Sequence, residues 1–519
     1  DIYLGVEKDG SITGLHVEHR NLSSLAAMIA NRTSPPLSVR VAAIEEEGAL
    51  VAHIEVPKSP RLVATSDGLL QRRRLQADGT PQCVPFLPQE FATRQSDLGI
   101  LDYSSLPIGG ASPSDLDPLE RQRLRQMVER YGGDRALLAL DDEQLDGALG
   151  MVQSVNGVRV PTVAGMLLLG REAALRTHLP THEVAFQVLE GTSVRVNEFY
   201  RMPLLKAFER LMEQFAARVE EDEVQVGLFR VPVPTLDQRS FREALVNALT
   251  HRDYARLGAV HVRWESQSLV ISNPGGFVDG VTLQNLLVVE PRPRNPLLAD
   301  AIKRVGLAER TGRGVDLIYE GMLRYGRPAP DYSATTTTTV TVQLHSAEAD
   351  IPFLRMILDE ETRTGARFPL QSLILLARLR EERRLDVAGA AMAIQKGEAV
   401  ARGVLERLVE RGLVEPHGTT RGRTYTLSPA VYRSLGQPAG YVRQVGFDPI
   451  QQEQMVLRWI VEHQRITRRD VMELCHLTED QACRLLQRLC RTGRLLLHGQ
   501  KRGAYYTAPN SPEMRGART

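Results

Sequence analysis

The spacing of apolar residues changes character along the chain. Residues 1–95 alternate at period two: DIYLGVEKDGSITGL predicts strand, Asp-Gly turn and strand, and VRVAAIEEEGALVAHIEVP (39–57) a second hairpin turning at Glu47 and Gly48. LLQRRRLQADG adds a strand-like stretch carrying the triplet Arg72, Arg73 and Arg74. Residues 96–116, rich in Ser, Pro, Gly and Asp, predict a linker. Across 117–218 the pattern turns helical, with a short strand expected at GMLLLG (165–170) and another around EVAFQVLE.

Residues 235–345 alternate between the two periods. Leu236 to Arg252 (LDQRSFREALVNALTHR) predicts a helix with Phe241, Leu245, Ala248 and Leu249 on one face. VHVRW and LVISN predict strands around a polar turn at Glu265–Ser268, and SNPGGF then breaks regular structure. RNPLLADAIKRVGLAE reads as a helix, and TGRGVDLIYEGMLRYG as a glycine loop opening into another. The threonine run 335–339 together with VTVQL predicts a strand, because β-branched residues fit a pleated surface.

The C-terminal third repeats itself. RLVERGLVEPHGTTRGRTYT (407–426) lies over RLCRTGRLLLHGQKRGAYYT (488–507) without gaps at an offset of 81, with 9 of 20 pairs identical, among them His417/His498 and Tyr425/Tyr506. Each copy predicts the end of a helix, a strand, a basic glycine-rich turn and a second strand. Thr467 to Asp470 and Thr478 to Gln481 carry capping-box spacing that opens two successive helices in the second copy. Two helices followed by a hairpin with a basic tip predict a winged helix-turn-helix, here in tandem.

Composition narrows the class. A chain of 519 residues with 42% hydrophobic and 24% charged residues is globular, with three to five domains expected. No run of 18 apolar residues exists, so no membrane partner is expected, and no secretory signal opens the chain. Cys83, Cys475, Cys483 and Cys490 are too few for a disulfide framework, which points to a reducing cytoplasm. Without a CxxC pair near His476, zinc is not expected. Net charge is +1, but from residue 450 onward 12 Lys and Arg face 7 Asp and Glu, a modest attraction for phosphate.

Two constellations carry candidate chemistry. The first is the exposed charge of the repeat: Arg484, Arg488 and Arg491 recur as one stripe on the second helix of copy two, with Lys501 and Arg502 at its wing tip. Arg402 and Arg407, with Arg421 and Arg423 on the wing, are their counterparts in copy one. A helix in the major groove with a basic wing on the phosphates is how such modules hold duplex DNA. Winged helices also dimerise, and helical arginines also serve as solvated surface. The second constellation joins Glu243 and Asn247, one helical turn apart, to Gly312 and Gly314 ahead of a helix. A carboxylate and a carboxamide so placed could activate water and hold Mg²⁺, and backbone N–H groups at a helix start could meet phosphate. Either piece alone is weak, since ExxxN arises by chance and GxG often marks only a turn.

Their order is more specific. FREALVNALTHRDY, then LVISNPGGF, then RNPLLADAIKRVGLAERTGRGVDLI resembles the bacterial regulators labelled ATP-dependent DNA helicase RecG-like. That resemblance covers roughly residues 1–345. It implies a central domain similar to the GHKL ATPases, a preceding AlbA-like domain of the Schlafen type, and winged helices to follow. By it, Glu243 stands at the general-base position, Asn247 at the magnesium ligand, and Gly312 and Gly314 on the phosphate side. Ser272, Asn273, Gly275 and Gly276 stand where the adenine-reading motif lies, but its acidic residue is replaced by Ser272 or Asn273. The acidic residues of nuclease relatives have no counterpart here. A helicase motor would need GxxxxGK[ST], and none of Lys8, Lys58, Lys206, Lys303, Lys396 or Lys501 sits in that pattern.

The sequence therefore predicts an α+β multidomain protein. Its parts are a Schlafen/AlbA-like α/β domain over 1–95 lacking its N-terminal portion, a linker, a GHKL-like α/β sandwich over 117–345, winged helices over 349–435 and 450–508, and a tail over 509–519. The expected function is a cytoplasmic, homo-oligomeric, DNA-binding transcriptional regulator with ATP and Mg²⁺ as candidate ligands. The alternative is a DNA-stimulated ATPase acting in defence or stress.

Overall fold

The protein was analysed as a computed structural model, which describes residues 1–509 apart from 8, 47, 58, 60, 77–79, 89, 227–228, 309–311, 419–421, 436–448, 476, 478 and 500–503. Its contacts divide the chain into two units. The first comprises Asp1–Val219, Leu236–Ile318 and Pro330–Ser346; the second comprises Glu220–Thr235, Tyr319–Ala329 and Ala347–Thr519.

In the first unit, β1 (Ile2–Leu4), β2 (Arg40–Glu46) and β3 (Ala49–Glu55) form a sheet of order β1-β3-β2. The 39–57 hairpin thus pairs as its alternation predicts, and the first predicted hairpin forms in part. Among the described residues its arms meet at the Val6–Ile12 bridge and through bonds from Glu7 N to Ser11 O (2.9 Å) and Thr13 N to Gly5 O (3.0 Å), while β1 pairs with β3. Val51, Ala52 and Ile54 of β3 are the buried residues of this sheet, and a central strand with an apolar face recruits partners on both edges.

The larger sheet runs β5-β4-β6-β7-β8, built from β4 (Val184–Glu190), β5 (Ser193–Tyr200), β6 (Val260–Glu265), β7 (Ser268–Pro274) and β8 (Thr339–His345). It is mixed: β4 and β6 are parallel and the other neighbours antiparallel. Parallel neighbours require a long crossover, and α2 (Leu204–Ala216) and α3 (Gln238–His251) lie within it. Asp237 caps α3 by accepting from Ser240 N at 2.8 Å, and Phe241, Leu245, Ala248 and Leu249 are buried, as their spacing requires. Phe241 stacks on Phe215 of α2 with ring centroids 4.2 Å apart.

Three expectations are corrected here. GMLLLG is not a strand: α1 (Val163–Leu169) is a helix with every residue buried, opened by Thr162 Oγ1 accepting from Gly165 N at 3.1 Å. A short apolar run buried on all sides has no period to distinguish the two, and the threonine cap decides it. Within the threonine run the strand begins only at Thr339. Thr336 Oγ1 accepts from Thr338 N at 3.2 Å, a side-chain turn that competes with the ladder. Residues 96–116 are packed where a linker was expected. Asp102 Oδ2 accepts from Leu297 N at 2.8 Å and Ser104 Oγ from Leu298 N at 3.2 Å, so this segment caps α4 (Pro296–Val305). Ser and Asp suit linkers and caps alike.

The second unit contains a duplicated module. Copy one is α6 (Leu370–Glu382), β9 (Leu385–Asp386), α7 (Val387–Ile394), α8 (Glu398–Glu410), β10 (Val414–His417) and β11 (Thr424–Leu427), followed by α9 (Pro429–Ser434). Copy two is α10 (Pro449–His463), β12 (Ile466–Thr467), α11 (Arg468–Cys475), α12 (Glu479–Arg491), β13 (Leu496–His498) and β14 (Tyr505–Thr507). The offset of 81 holds well upstream of the 20 residues in which it can be read. It relates α7 to α11 and α8 to α12 end for end, and it maps the pairs Leu385–Tyr425 and Pro416–Tyr425 onto Ile466–Tyr506 and Leu497–Tyr506. His417 Nε2 and His498 Nε2 each meet the equivalent threonine hydroxyl, Thr426 at 2.8 Å and Thr507 at 2.9 Å. The Thr467–Asp470 capping box forms, with bonds of 2.8 and 3.3 Å. Thr478 lies outside the described residues.

Candidate functional site

The first unit encloses a cavity of about 430 Å³, within the usual range for small-molecule sites. One wall is α3. Its 3.6-residue period points Glu243, Asn247 and His251 into the cavity while Phe241 and Leu245 face the core. Opposite lie Ile271 and Asn273 of β7, alternate positions on one face of a strand. This pleat distinguishes the two candidates for the adenine-reading position: Asn273 is 3% exposed and lines the cavity. Its Nδ2 donates to the Pro274 carbonyl at 3.2 Å, which leaves Oδ1 as its acceptor. A neutral amide there forgoes the charge-assisted bond that a carboxylate would give.

At the other end, the loop ahead of α5 (Gly314–Leu323) comes in close. A Cβ on Gly314 would stand 3.1 Å from Glu243 Oε2 and 3.6 Å from Asn247 Nδ2, so a larger residue here would press on the pair and glycine leaves this approach open. Gly312 has φ of +76° and packs on Pro291. Glu243 is 1% exposed, and its Oε1 accepts from Arg242 Nη2 at 3.1 Å. Glu243, Asn247, Asn273, Gly276, Gly312 and Gly314 therefore line one cavity. Gly275 stands beside it with φ of +96°, where a Cβ would come 2.9 Å from Asp253 Cβ.

Residues that sequence reasoning left without a role hold these walls in place. Arg252 is 1% exposed and donates to the carbonyls of Gly258 at 2.6 Å, Asp253 at 3.2 Å, Arg256 at 3.3 Å and Thr181. Arg294 ties the His251 carbonyl (3.0 Å) and the Gly276 carbonyl (2.7 Å) to Asp97. Asn295 Nδ2 donates to the carbonyls of Thr250 and Arg252, each at 2.8 Å. In HRDY, Tyr254 Oη donates back to Leu249 O at 2.8 Å and Asp253 accepts from Thr93 Oγ1 at 2.7 Å. The polar signature HRDY…RN is thus largely a lock on the end of α3. Burial, with the Arg294 and Lys303 charges nearby, pushes His251 down to about 4, so it faces the cavity as neutral imidazole.

Two family models match parts of the chain. Residues 258–344 match the family described as "Putative ATP-dependent DNA helicase recG C-terminal", so an ATPase-like domain is present. Residues 92–185 match a domain of unknown function, DUF8451. Glu243 and Asn247 precede the first match and join it through the cavity. No curated protein matches the chain. Among solved structures, the DIP2311 protein from Corynebacterium diphtheriae is similar in fold, with a TM-score of 0.53 at 23% identity over 84% of each chain.

In the second unit, Arg484, Arg488 and Arg491 are all exposed on α12, opposite the buried Ala482, Leu485, Leu486 and Leu489. Arg488 is engaged: its Nη2 lies 2.8 Å from Glu453, which also pairs with Arg494 at 2.7 Å. Pairs of this kind at the surface contribute little to stability, about 1 kcal/mol or less. Arg402 and Arg407 are exposed on α8, while Arg423 is half-buried over the Tyr425 ring at 5.5 Å. Arg421, Lys501 and Arg502 lie outside the described residues. Cys475 belongs to the apolar core of copy two, and burial pushes its thiol up to about 11.

Proposed function

We propose that this chain is a DNA-binding transcriptional regulator in which an adenine nucleotide, bound with Mg²⁺ by the ATPase-like domain, controls assembly or DNA affinity. The observation that carries the DNA reading is the duplicated module: the same strand register and helix limits occur twice, with exposed arginines on α8 and α12. We read each copy as a winged helix and residues 1–95 as the Schlafen/AlbA-like domain. A cytoplasmic homo-oligomer fits this reading. Electrophoretic mobility or anisotropy titration of duplex DNA tests it. Binding should weaken steeply with salt, and absence of binding at low salt overturns it.

For the nucleotide, the donor set fits: Asn247 offers an oxygen ligand suited to Mg²⁺, and the Gly312–Gly314 loop reaches Glu243 and Asn247 without a Cβ in the way. Bound Mg²⁺ would offset phosphate charge. Asn273 would accept one hydrogen bond from the exocyclic amine of the base.

A second reading, a DNA-stimulated ATPase, is favoured by one feature. Glu243 is buried at the cavity wall with Arg242 on its Oε1, an arrangement that could hold a carboxylate ready to take a proton from water. Glu243→Ala should then abolish turnover and spare nucleotide binding. Wild-type protein without Mg²⁺-dependent phosphate release, with or without DNA, excludes this reading.

A further inference from the structure

We propose that the second unit carries a second binding site, beside copy one of the duplicated module, for a small dianionic ligand bearing phosphate or two carboxylates. A separate cavity of about 280 Å³ in the second unit is lined by Arg327, Arg380, Arg383, Asp350, Glu381 and Tyr432. Its fixed charge is one positive in excess. Asp350 is already matched by Arg380, which also donates to the Gly326 carbonyl and stacks over Phe353 at 4.5 Å. Glu381 is turned toward Arg378, at 3.6 Å. Arg327 is 3% exposed and donates to the Ala347 carbonyl at 2.9 Å. The walls are firm, since Leu427 of β11 and Tyr432 of α9 are both buried.

Comparison of the copies indicates that Arg380 and Arg383 are not demanded by the fold of the module itself. Arg383 ends α6 in the left-handed conformation with φ of +65°, and Gln464 adopts φ of +64° at the equivalent position after α10. The backbone turn is therefore kept with an uncharged residue. Arg380 likewise corresponds to Val461, which is 72% exposed. Copy one thus concentrates two cations beside a cavity where copy two has none at those positions. Guanidinium groups with a neighbouring phenol recognise oxyanions through charge-assisted hydrogen bonds. Because Leu427 and Tyr432 belong to elements of copy one, occupancy would bear directly on the strand that carries its wing.

The test is calorimetric titration of the full chain with inorganic phosphate at constant ionic strength, repeated with succinate. Wild type should bind phosphate saturably. Arg383→Gln, which copies the second module's own solution, should weaken binding by about tenfold, the equivalent of one charge-assisted bond. Glu381→Gln removes a negative charge from the rim and should tighten binding, so the pair of variants reads in opposite directions. Competition by succinate identifies a shared dianion site, and its failure restricts the ligand to phosphate. Binding that survives Arg383→Gln unchanged, or that is lost in Asn247→Ala instead, would locate phosphate elsewhere and overturn the proposal, as would no saturable binding.

Discussion

The cavity of the first unit and the duplicated module of the second use polar residues in contrasting ways. Around the cavity, Glu243, Arg252, Asn273, Arg294 and Asn295 are buried and have specific jobs: Arg252 alone gathers four carbonyls, and Gly314 brings its backbone close to Glu243 and Asn247. On the modules, charge is exposed and multiple: Arg484, Arg488 and Arg491 share one face, and Arg488 pairs with an intramolecular partner, Glu453. Buried polar groups become costly when a partner is lost, whereas exposed charges act as a sum. Single substitutions should therefore be severe in the first region and graded in the second.

The largest effect expected is on stability. Arg252→Ala leaves several carbonyls without their donor in a region 1% exposed, and should cost about 3–5 kcal/mol in urea unfolding monitored on the first unit. A loss below about 1 kcal/mol would mean that water substitutes easily, and the contrast between regions would weaken.

Acid should act next. Burial pushes His182 down to about 4, and it is held neutral with Nε2 at 2.8 Å from the Met202 carbonyl. Its folded value lies below its unfolded one, so from about pH 6.5 down to 4 the unfolded chain takes up a proton that the folded chain refuses. Stability is unaffected by this group above that window and falls on descending through it, by about 3 kcal/mol at most. Urea midpoints at pH 7.5 and 5 measure it. A His182→Gln variant with undiminished pH dependence would assign the effect to other groups.

On the modules the effects should be smaller and additive. Arg484→Ala with Arg488→Ala should weaken duplex binding by about tenfold and lower the salt slope by about two. Unchanged affinity would remove α12 as the contact face. Either single change should give about half the effect on a logarithmic scale, as expected of independent phosphate contacts.

The same contrast governs what could be read from sequence. That Glu243, Asn247, Gly312 and Gly314 form one set of candidates was legible because motif order survives without knowledge of packing, whereas choosing between Ser272 and Asn273 needed the pleat. The repeat was legible where residues are identical, in 407–426, and silent upstream, where α7 and α11 keep their limits with almost no shared residues. The supports were not legible. Arg252, Arg294 and Asn295 look like surface polar residues, and their partners lie far off in sequence: Asp97 meets Arg294 across 197 positions. Asp102 and Ser104 were read as linker because turn chemistry and cap chemistry use the same side chains. The helix at 163–169 has no amphipathic period, so only its Thr162 cap distinguishes it from a buried strand.

The central claim is that the cavity is a live nucleotide site. Calorimetry of ATP and ADP with Mg²⁺, on wild type and Asn247→Ala, tests it most directly. The account predicts micromolar binding by wild type and a loss of about 100-fold or more in the variant, the scale of a lost metal ligand with its charge-assisted contacts. Absence of binding at millimolar nucleotide, or equal affinity in the two proteins, would contradict it and leave the domain as a scaffold.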